Sequence, residues 1–176
     1  MIKKIALTVA LVVGVSALEV GEVVKPITLT GANGSQVKDN SAWSSDSLKG
    51  RVSVIFYVDP DEKEANSKFS KIIEEQKFDK TEFVKVAIVN LAATWKPSFV
   101  IEKLLVSKQK ELPENIYLKD KKSFFVKEWG LKDDASNVII LSREGKVLFS
   151  KSGAMSEEEI ERSLSVLKKS IAERLK

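Results

Sequence analysis

Runs of apolar residues alternate with stretches of helical periodicity along most of the chain. The runs are rich in β-branched and aromatic residues, which is typical of strands buried in a sheet. They cover 51–58, 83–90, 138–141 and 146–150, the last two on either side of a turn at 142–145. Because that turn is short, the last two runs are predicted to form an antiparallel hairpin.

Three stretches have apolar residues at helical spacing. The first begins at Asp59, where an N-cap residue is followed by a proline and by Glu62, and it is predicted to end near Gln76. The second is predicted over 98–112, between two prolines. The third follows the capping-box segment Ser156–Glu159 and has one continuous apolar stripe.

The remaining segments have weaker patterns. Residues 26–30 are predicted to form a strand that turns back at 31–34 in an N-terminal β-hairpin. Residues 115–131 are highly charged with isolated large apolar residues, so they are interpreted as a short strand or turn with core anchors. After the N-terminal hairpin the predicted order is β-α-β-α-β-β-α, which indicates an α/β fold of the thioredoxin-like type: a central mixed sheet flanked by helices.

The first residues have the pattern of a signal peptide. Lys3 and Lys4 form a basic start, residues 5–15 are almost continuously apolar, and Val15–Ala17 has the small residues of a cleavage site. We therefore expect residues 1–17 to be a signal peptide cleaved after Ala17, followed by a single domain over 18–176 in the periplasm. The apolar run is too short to span a membrane, so no stable membrane insertion is expected after cleavage.

Composition excludes several classes of function. The chain has no Cys and no His, so a thiol-disulfide oxidoreductase that uses the protein's own residues is excluded, as is a zinc-thiolate or iron–sulfur centre. The formal net charge is +4, and loss of Lys3 and Lys4 would leave +2, which is too weak for a nucleic-acid-binding protein. No cofactor, catalytic residue or metal ligand is assigned, and the sequence leaves the oligomeric state open.

Several stretches spread over the chain resemble one family of periplasmic thioredoxin-like proteins, the YtfJ family. They are 43–45, 48–52, 88–90, 129–131, 136–141, 145–147 and 151–156. The resemblance implies a thioredoxin-like fold in the periplasm and brings no established activity with it. Where a thioredoxin has its CxxC motif this chain has Asp61–Glu64, and the usual position of the cis-proline is Ser136.

The densest acidic cluster follows the first central strand and consists of Asp59, Asp61, Glu62 and Glu64. Several carboxylates close together are typical of a calcium site, but the glycine turn and ligand spacing of an EF-hand are missing. Helix capping already accounts for Asp59 and Glu62, and we prefer that interpretation. The alternative of a carboxylate- or cation-dependent enzyme using this turn stays open.

The tryptophans are the other candidates for a binding role. Core or loop anchoring is the preferred interpretation of Trp43 and Trp129, whereas Trp95 lies in a polar connection and is expected to be exposed. Trp95, the acidic turn 59–64 and Ser136 together form the predicted binding face. The sequence thus favours a non-redox binding or accessory module for an envelope protein or peptide.

Overall fold

The computed structural model describes residues 18–173, so the predicted signal peptide at 1–17 lies outside the described part of the chain. The strands and α-helices, in chain order, are β1 (Thr28–Leu29), β2 (Gly34–Gln36), β3 (Trp43–Ser44), β4 (Val52–Val58), α1 (Ser67–Gln76), β5 (Phe83–Asn90), α2 (Ser98–Glu111), β6 (Ile116–Asp120), α3 (Phe124–Trp129), β7 (Ser136–Leu141), β8 (Val147–Ser152) and α4 (Glu157–Ala172), and short 3-10 helices lie at Gly31–Asn33 and Ser45–Leu48.

Six strands form one mixed sheet in the order β2-β6-β5-β4-β7-β8. Strands β4, β5 and β6 are parallel to one another, whereas β7 and β8 are antiparallel to their neighbours. In the centre, Ile55 of β4 is paired with Val86 of β5 and with Ile139 of β7. The predicted mixed sheet and the predicted β7–β8 hairpin are both confirmed.

Helices cover both faces of the sheet. Alternate residues of β4 point to opposite faces, so Val54 packs towards α1 and α4 while Ile55 packs towards α3 and the N-terminal segment. Helix α2 covers β5 and β6 through Ile101 and Leu105. This arrangement buries the apolar runs on both sides, as the sequence pattern predicted. None of the described helices has both the length and the apolar character needed to cross a membrane.

Two of the three tryptophans are core anchors, as expected. The ring of Phe125 lies 6.0 Å from that of Trp43 and 5.1 Å from that of Trp129. The indole N–H of Trp129 donates to the carbonyl oxygen of Lys25 at 2.9 Å. Both tryptophans are buried, and they attach the N-terminal segment to α3.

The predicted tight hairpin at the N-terminus is wrong in its pairing. Strand β1 pairs antiparallel with β3, with Leu29 opposite Trp43, while β2 pairs with β6 in the main sheet. A Cβ atom on Gly34 would lie 1.9 Å from the carbonyl oxygen of Lys119. The glycine is therefore needed for the close approach of β2 to β6, and it does not close a turn between adjacent strands.

The start of α1 also differs from the prediction. The helix begins at Ser67 instead of Asp59, and residues 60–66 form turns and a bend. A carboxylate oxygen of Asp59 accepts a hydrogen bond from the backbone N–H of Asp61 at 2.8 Å. An aspartate side chain can accept a nearby backbone N–H either as a helix N-cap or in an Asx turn. Asp59 adopts the Asx turn, so it does not start the helix.

The charged segment 115–131 contains one strand, β6, and one short helix, α3. The expected core anchors are present, since Phe125 and Trp129 of α3 are buried. The predicted element order therefore lacked a strand and a helix, β6 and α3, and the observed order after the N-terminal segment is β-α-β-α-β-α-β-β-α. A helix of six residues is too short to show a helical period in the sequence.

Candidate functional site

A buried polar residue lies at the end of each of the three parallel strands or directly after it. Asp59 directly follows β4, and Asn90 and Asp120 are the last residues of β5 and β6, where they lie opposite each other in register. All three are buried. In open α/β sheets ligands bind outside the carboxyl ends of the strands, so this edge is the candidate site. Asn90 and Asp120 were missed in the sequence, where the only signal is a polar residue that ends a strand run.

Asp120 organises the start of α3. Its two carboxylate oxygens accept the backbone N–H groups of Lys122, Phe124 and Phe125 at 3.0, 2.9 and 3.0 Å. The phenol of Tyr57 donates to the same carboxylate at 3.1 Å. Burial, together with the negative charge of Asp120, raises the pKa of Tyr57 far above its ordinary range. The phenol is therefore a permanent donor, and Asp120 is fully engaged in the fold.

Asn90 joins three loops at the same edge. Its amide nitrogen donates to a carboxylate oxygen of Asp133 at 2.8 Å and to the hydroxyl of Ser123 at 3.2 Å. Its amide oxygen accepts the backbone N–H of Ala92 at 3.1 Å. Asn90 thus ties the loop after β5 to the loops that precede α3 and β7.

Asp61 connects the turn after β4 to the loop before α2. One of its oxygens accepts the hydroxyl of Thr94 at 2.9 Å, and the other forms an ion pair with the ammonium group of Lys96. The hydrogen bonds from Lys96 and Thr94 lower the pKa of Asp61. Since Trp95 lies between these two residues, Asp61 holds the Trp95 loop from both sides.

The four predicted acidic residues do not form a metal-binding group. Glu64 is exposed and lies 3.9 Å from the ammonium group of Lys63, while Asp59 and Asp61 accept hydrogen bonds from protein donors. Within residues 18–173, no three acidic side chains come together in a way that could hold a metal ion. Glu62 contributes its backbone to the turn, because its N–H donates to the carbonyl oxygen of Asp59 at 2.9 Å.

Ser136 is buried beneath this edge and does not present its hydroxyl to solvent. The hydroxyl oxygen accepts a hydrogen bond from the amide of Asn66 at 2.9 Å. The same amide donates to the carbonyl oxygen of Gly153 at 3.0 Å and accepts the backbone N–H of Met155 at 3.0 Å. Asn66 directly precedes α1, so this network fixes the N-terminus of α1 to the ends of β7 and β8.

Trp95 is exposed, as the sequence indicated, with 85% of its surface accessible. It is not isolated. Helix α2, which follows it, also exposes Phe99 (71%), Leu104 (60%), Val100 and Val106 (42% each). This surface has a signal in the sequence. Residues 99–106 contain more apolar side chains than the single buried face of a helix can accommodate, so some of them must be exposed.

The ion pair of Asp61 predicts a pH dependence of the Trp95 loop. Because the folded-state pKa of Asp61 is lowered, the contact is fully formed above the ordinary value of 3.8 and is lost as the pH falls through the lowered pKa. We expect the backbone amide signals of Thr94 and Lys96 in NMR spectra to shift together in this acidic range. In Asp61→Asn the shared transition should disappear. An unchanged titration in that variant would contradict the assignment to Asp61.

Comparison with known proteins places these features in a family. A family model described as a bacterial protein of unknown function, YtfJ_HI0045, matches residues 14–170. The uncharacterized protein YtfJ of Escherichia coli strain K12 is 27% identical over 159 residues, which cover 86% of this chain and 86% of the relative. An uncharacterized protein of Haemophilus influenzae is 30% identical over 129 residues and covers 71% of this chain and 70% of the relative.

Among solved structures, a protein assigned as the thiol:disulfide interchange protein DsbE of Chlorobium tepidum superposes with a TM-score of 0.64. The match covers 88% of this chain and 99% of that chain at 17% identity, and it shows the fold alone. A thiol peroxidase of Chromobacterium violaceum matches with a TM-score of 0.62 at 10% identity and covers 88% of each chain. The chain therefore belongs to the YtfJ_HI0045 family of bacterial proteins, and its fold is thioredoxin-like.

Proposed function

We propose that the protein is exported and acts as a non-redox binding module, which docks an envelope protein or peptide on the carboxyl edge of its sheet. The signal-peptide pattern of residues 1–17 supports export to the periplasm. The absence of Cys supports a role without redox chemistry, because thiol–disulfide exchange requires a thiolate. Any thiol in a complex must then come from the partner.

The observation that carries this proposal is the presentation of Trp95. An indole ring with 85% of its surface exposed is held in place by two neighbours that both bind Asp61. Large aromatic side chains dominate the energy of protein–protein interfaces. A loop that is fixed before binding loses less conformational entropy when the partner arrives. The Trp95 loop therefore has the chemistry and the rigidity of an interface anchor.

The alternative, an enzyme that uses the carboxylates of residues 59–64, has weaker support. A catalytic carboxylate needs free oxygens that can reach a substrate or a metal ion. Here Asp59 accepts the N–H of Asp61, and Asp61 binds Thr94 and Lys96. These two carboxylates hold loops in place, which supports the binding module over the enzyme.

The proposal is tested by site-specific photo-crosslinking in cells. A photoreactive phenylalanine analogue replaces Trp95 in one strain and Lys80 in a matched control strain, because Lys80 is also exposed but lies beside the opposite end of β5. We expect position 95 to give a reproducible crosslinked envelope protein that position 80 does not give. Asp61→Ala, which frees the Trp95 loop, should reduce the yield several-fold.

Two results would argue against the proposed function. Identical crosslinked products from positions 95 and 80 would mean that capture is non-specific. An unchanged yield in Asp61→Ala would mean that the fixed loop has no role in binding. The same strains test export. An exported chain is recovered in the periplasmic fraction, and cleavage near Ala17 makes it shorter than its precursor.

A further inference from the structure

The outward side of α2 carries apolar and basic residues in a regular arrangement. Residues three and four positions apart lie in rows along a helix. One row consists of Phe99, Lys103, Val106 and Lys110, and the adjacent row consists of Val100, Leu104, Ser107 and Glu111. All eight are exposed, while Ile101 and Leu105 on the inward side are buried. We call these two rows the α2 surface.

The unpaired charges of the α2 surface are positive. Glu111 is paired with Lys108 at 2.8 Å, and Glu102, at the border of the surface, is paired with Lys119 at 3.1 Å. Within the described part of the chain, Lys103 and Lys110 have no ion-pair partner. The occupant that complements this surface is therefore apolar and negatively charged.

The position of Lys103 distinguishes a lipid surface from a protein partner. It lies between Phe99 and Val106 in the same row, near the centre of the exposed apolar side chains. Lysine is depleted from the centres of protein–protein interfaces. At a bilayer, by contrast, a lysine stem lies along the apolar layer while its ammonium group reaches the phosphates.

We propose that the α2 surface binds reversibly to an anionic phospholipid bilayer. The apolar side chains Phe99, Val100, Leu104 and Val106 enter the interfacial layer, and Lys103 and Lys110 bind lipid phosphates. The helix lies parallel to the membrane plane, so this is peripheral binding and no segment crosses the bilayer. It goes beyond the proposed partner binding, which uses the Trp95 loop at the carboxyl edge of the sheet.

Vesicle flotation tests this proposal directly. The chain from residue 18 contains every described element, and its use avoids the apolar segment 5–15, which would bind lipid by itself. It is mixed with vesicles of phosphatidylcholine and phosphatidylglycerol at 3:1, or of phosphatidylcholine alone. We expect flotation with the anionic vesicles and a strong decrease at high salt. Each lysine near such a surface raises the binding constant about fivefold, so Lys103→Gln with Lys110→Gln should lower it about 25-fold.

A second pair of variants tests the apolar contribution. Phe99→Ser with Leu104→Ser should lower binding more than about tenfold. The matched control Val20→Ser with Val23→Ser also removes exposed apolar side chains, but far from α2 in the chain, and should leave binding unchanged. Circular dichroism melts of all variants confirm that they remain folded.

Three outcomes would overturn the bilayer proposal. The wild-type chain could fail to float with anionic vesicles, or it could bind both vesicle types equally, or the Val20 and Val23 control could lose binding as fully as the α2 variants. If flotation fails while Phe99→Ser with Leu104→Ser abolishes a dimer seen by ultracentrifugation, the α2 surface is a contact between copies of the chain. Crosslinking from Trp95 and flotation of the α2 variants are independent measurements on different residues, so failure of either proposal can be recognised on its own.

Discussion

Replacing Asp120 with alanine is expected to lower the free energy of unfolding by about 3–5 kcal/mol. The substitution leaves the backbone N–H groups of Lys122, Phe124 and Phe125 and the phenol of Tyr57 without their acceptor in a buried site. Urea unfolding followed by circular dichroism measures the loss. The effect should exceed that of any single hydrogen bond, because four donors share this one carboxylate.

Two further variants are compared with Asp120→Ala for their loss of stability. Asp120→Asn keeps an oxygen acceptor of the same shape and should be clearly less destabilising than alanine. Tyr57→Phe removes one of the four donors together with its hydrogen bond to Asp120. This change should lower the free energy of unfolding by about 1 kcal/mol. If the free energy of unfolding of Asp120→Ala lies within about 1 kcal/mol of the wild-type value, the carboxylate does not organise α3 in the way the hydrogen bonds indicate.

Replacing Arg143 with methionine is expected to lower the free energy of unfolding by about 2–4 kcal/mol. The buried guanidinium group donates to the carbonyl oxygens of Ser170, Ile171 and Glu173 at 2.7, 3.1 and 2.9 Å, and to a carboxylate oxygen of Glu82 at 2.5 Å. It therefore caps the C-terminus of α4 with a positive charge. Methionine keeps the apolar stem and removes only these donors.

Hydrogen exchange resolves where the Arg143 effect occurs. In Arg143→Met the last turn of α4 should lose protection first, because its carbonyl groups have lost their partner. Arg143→Lys should keep only part of the protection of α4, since one ammonium group cannot match the planar fork of a guanidinium.

Arg162→Met is the control for the loss of an arginine. Arg162 is exposed and lies 5.6 Å from the ring of Phe149, so its replacement should change the free energy of unfolding by less than about 1 kcal/mol. Equal effects at the two arginines would refute the capping role.

Elements with a strong local signal could be predicted from the sequence. The central strands β4 and β5, the β7–β8 hairpin and α4 were all located by their apolar pattern. In α4, Ser156 accepts the backbone N–H of Glu159 at 3.2 Å, and Glu159 accepts the backbone N–H of Ser156 at 2.8 Å, which completes the predicted capping box. In these elements the residues that define the structure are neighbours in the chain.

Features that depend on distant partners could not be predicted. The pairing of β2 with β6 depends on the contact of Gly34 with Lys119, and the end of each parallel strand is fixed by loops from elsewhere in the chain. For the candidate site, the exposure of Trp95 could be predicted from its polar neighbours. The roles of Asn90 and Asp120 could not, because an isolated polar residue after a strand has the same local pattern as any other loop start.

The pairing of β4 with β7 has a consequence for the way the chain folds. Ile55 and Ile139 are adjacent in the centre of the sheet but 84 positions apart in the chain. Contacts between residues so distant in sequence require the closure of a long loop, which slows folding. A ribosome must deliver every residue from β4 to β7 before the central strand has both neighbours, so the nascent sheet stays incomplete while those residues are synthesised. Such a delay is compatible with the export that we propose.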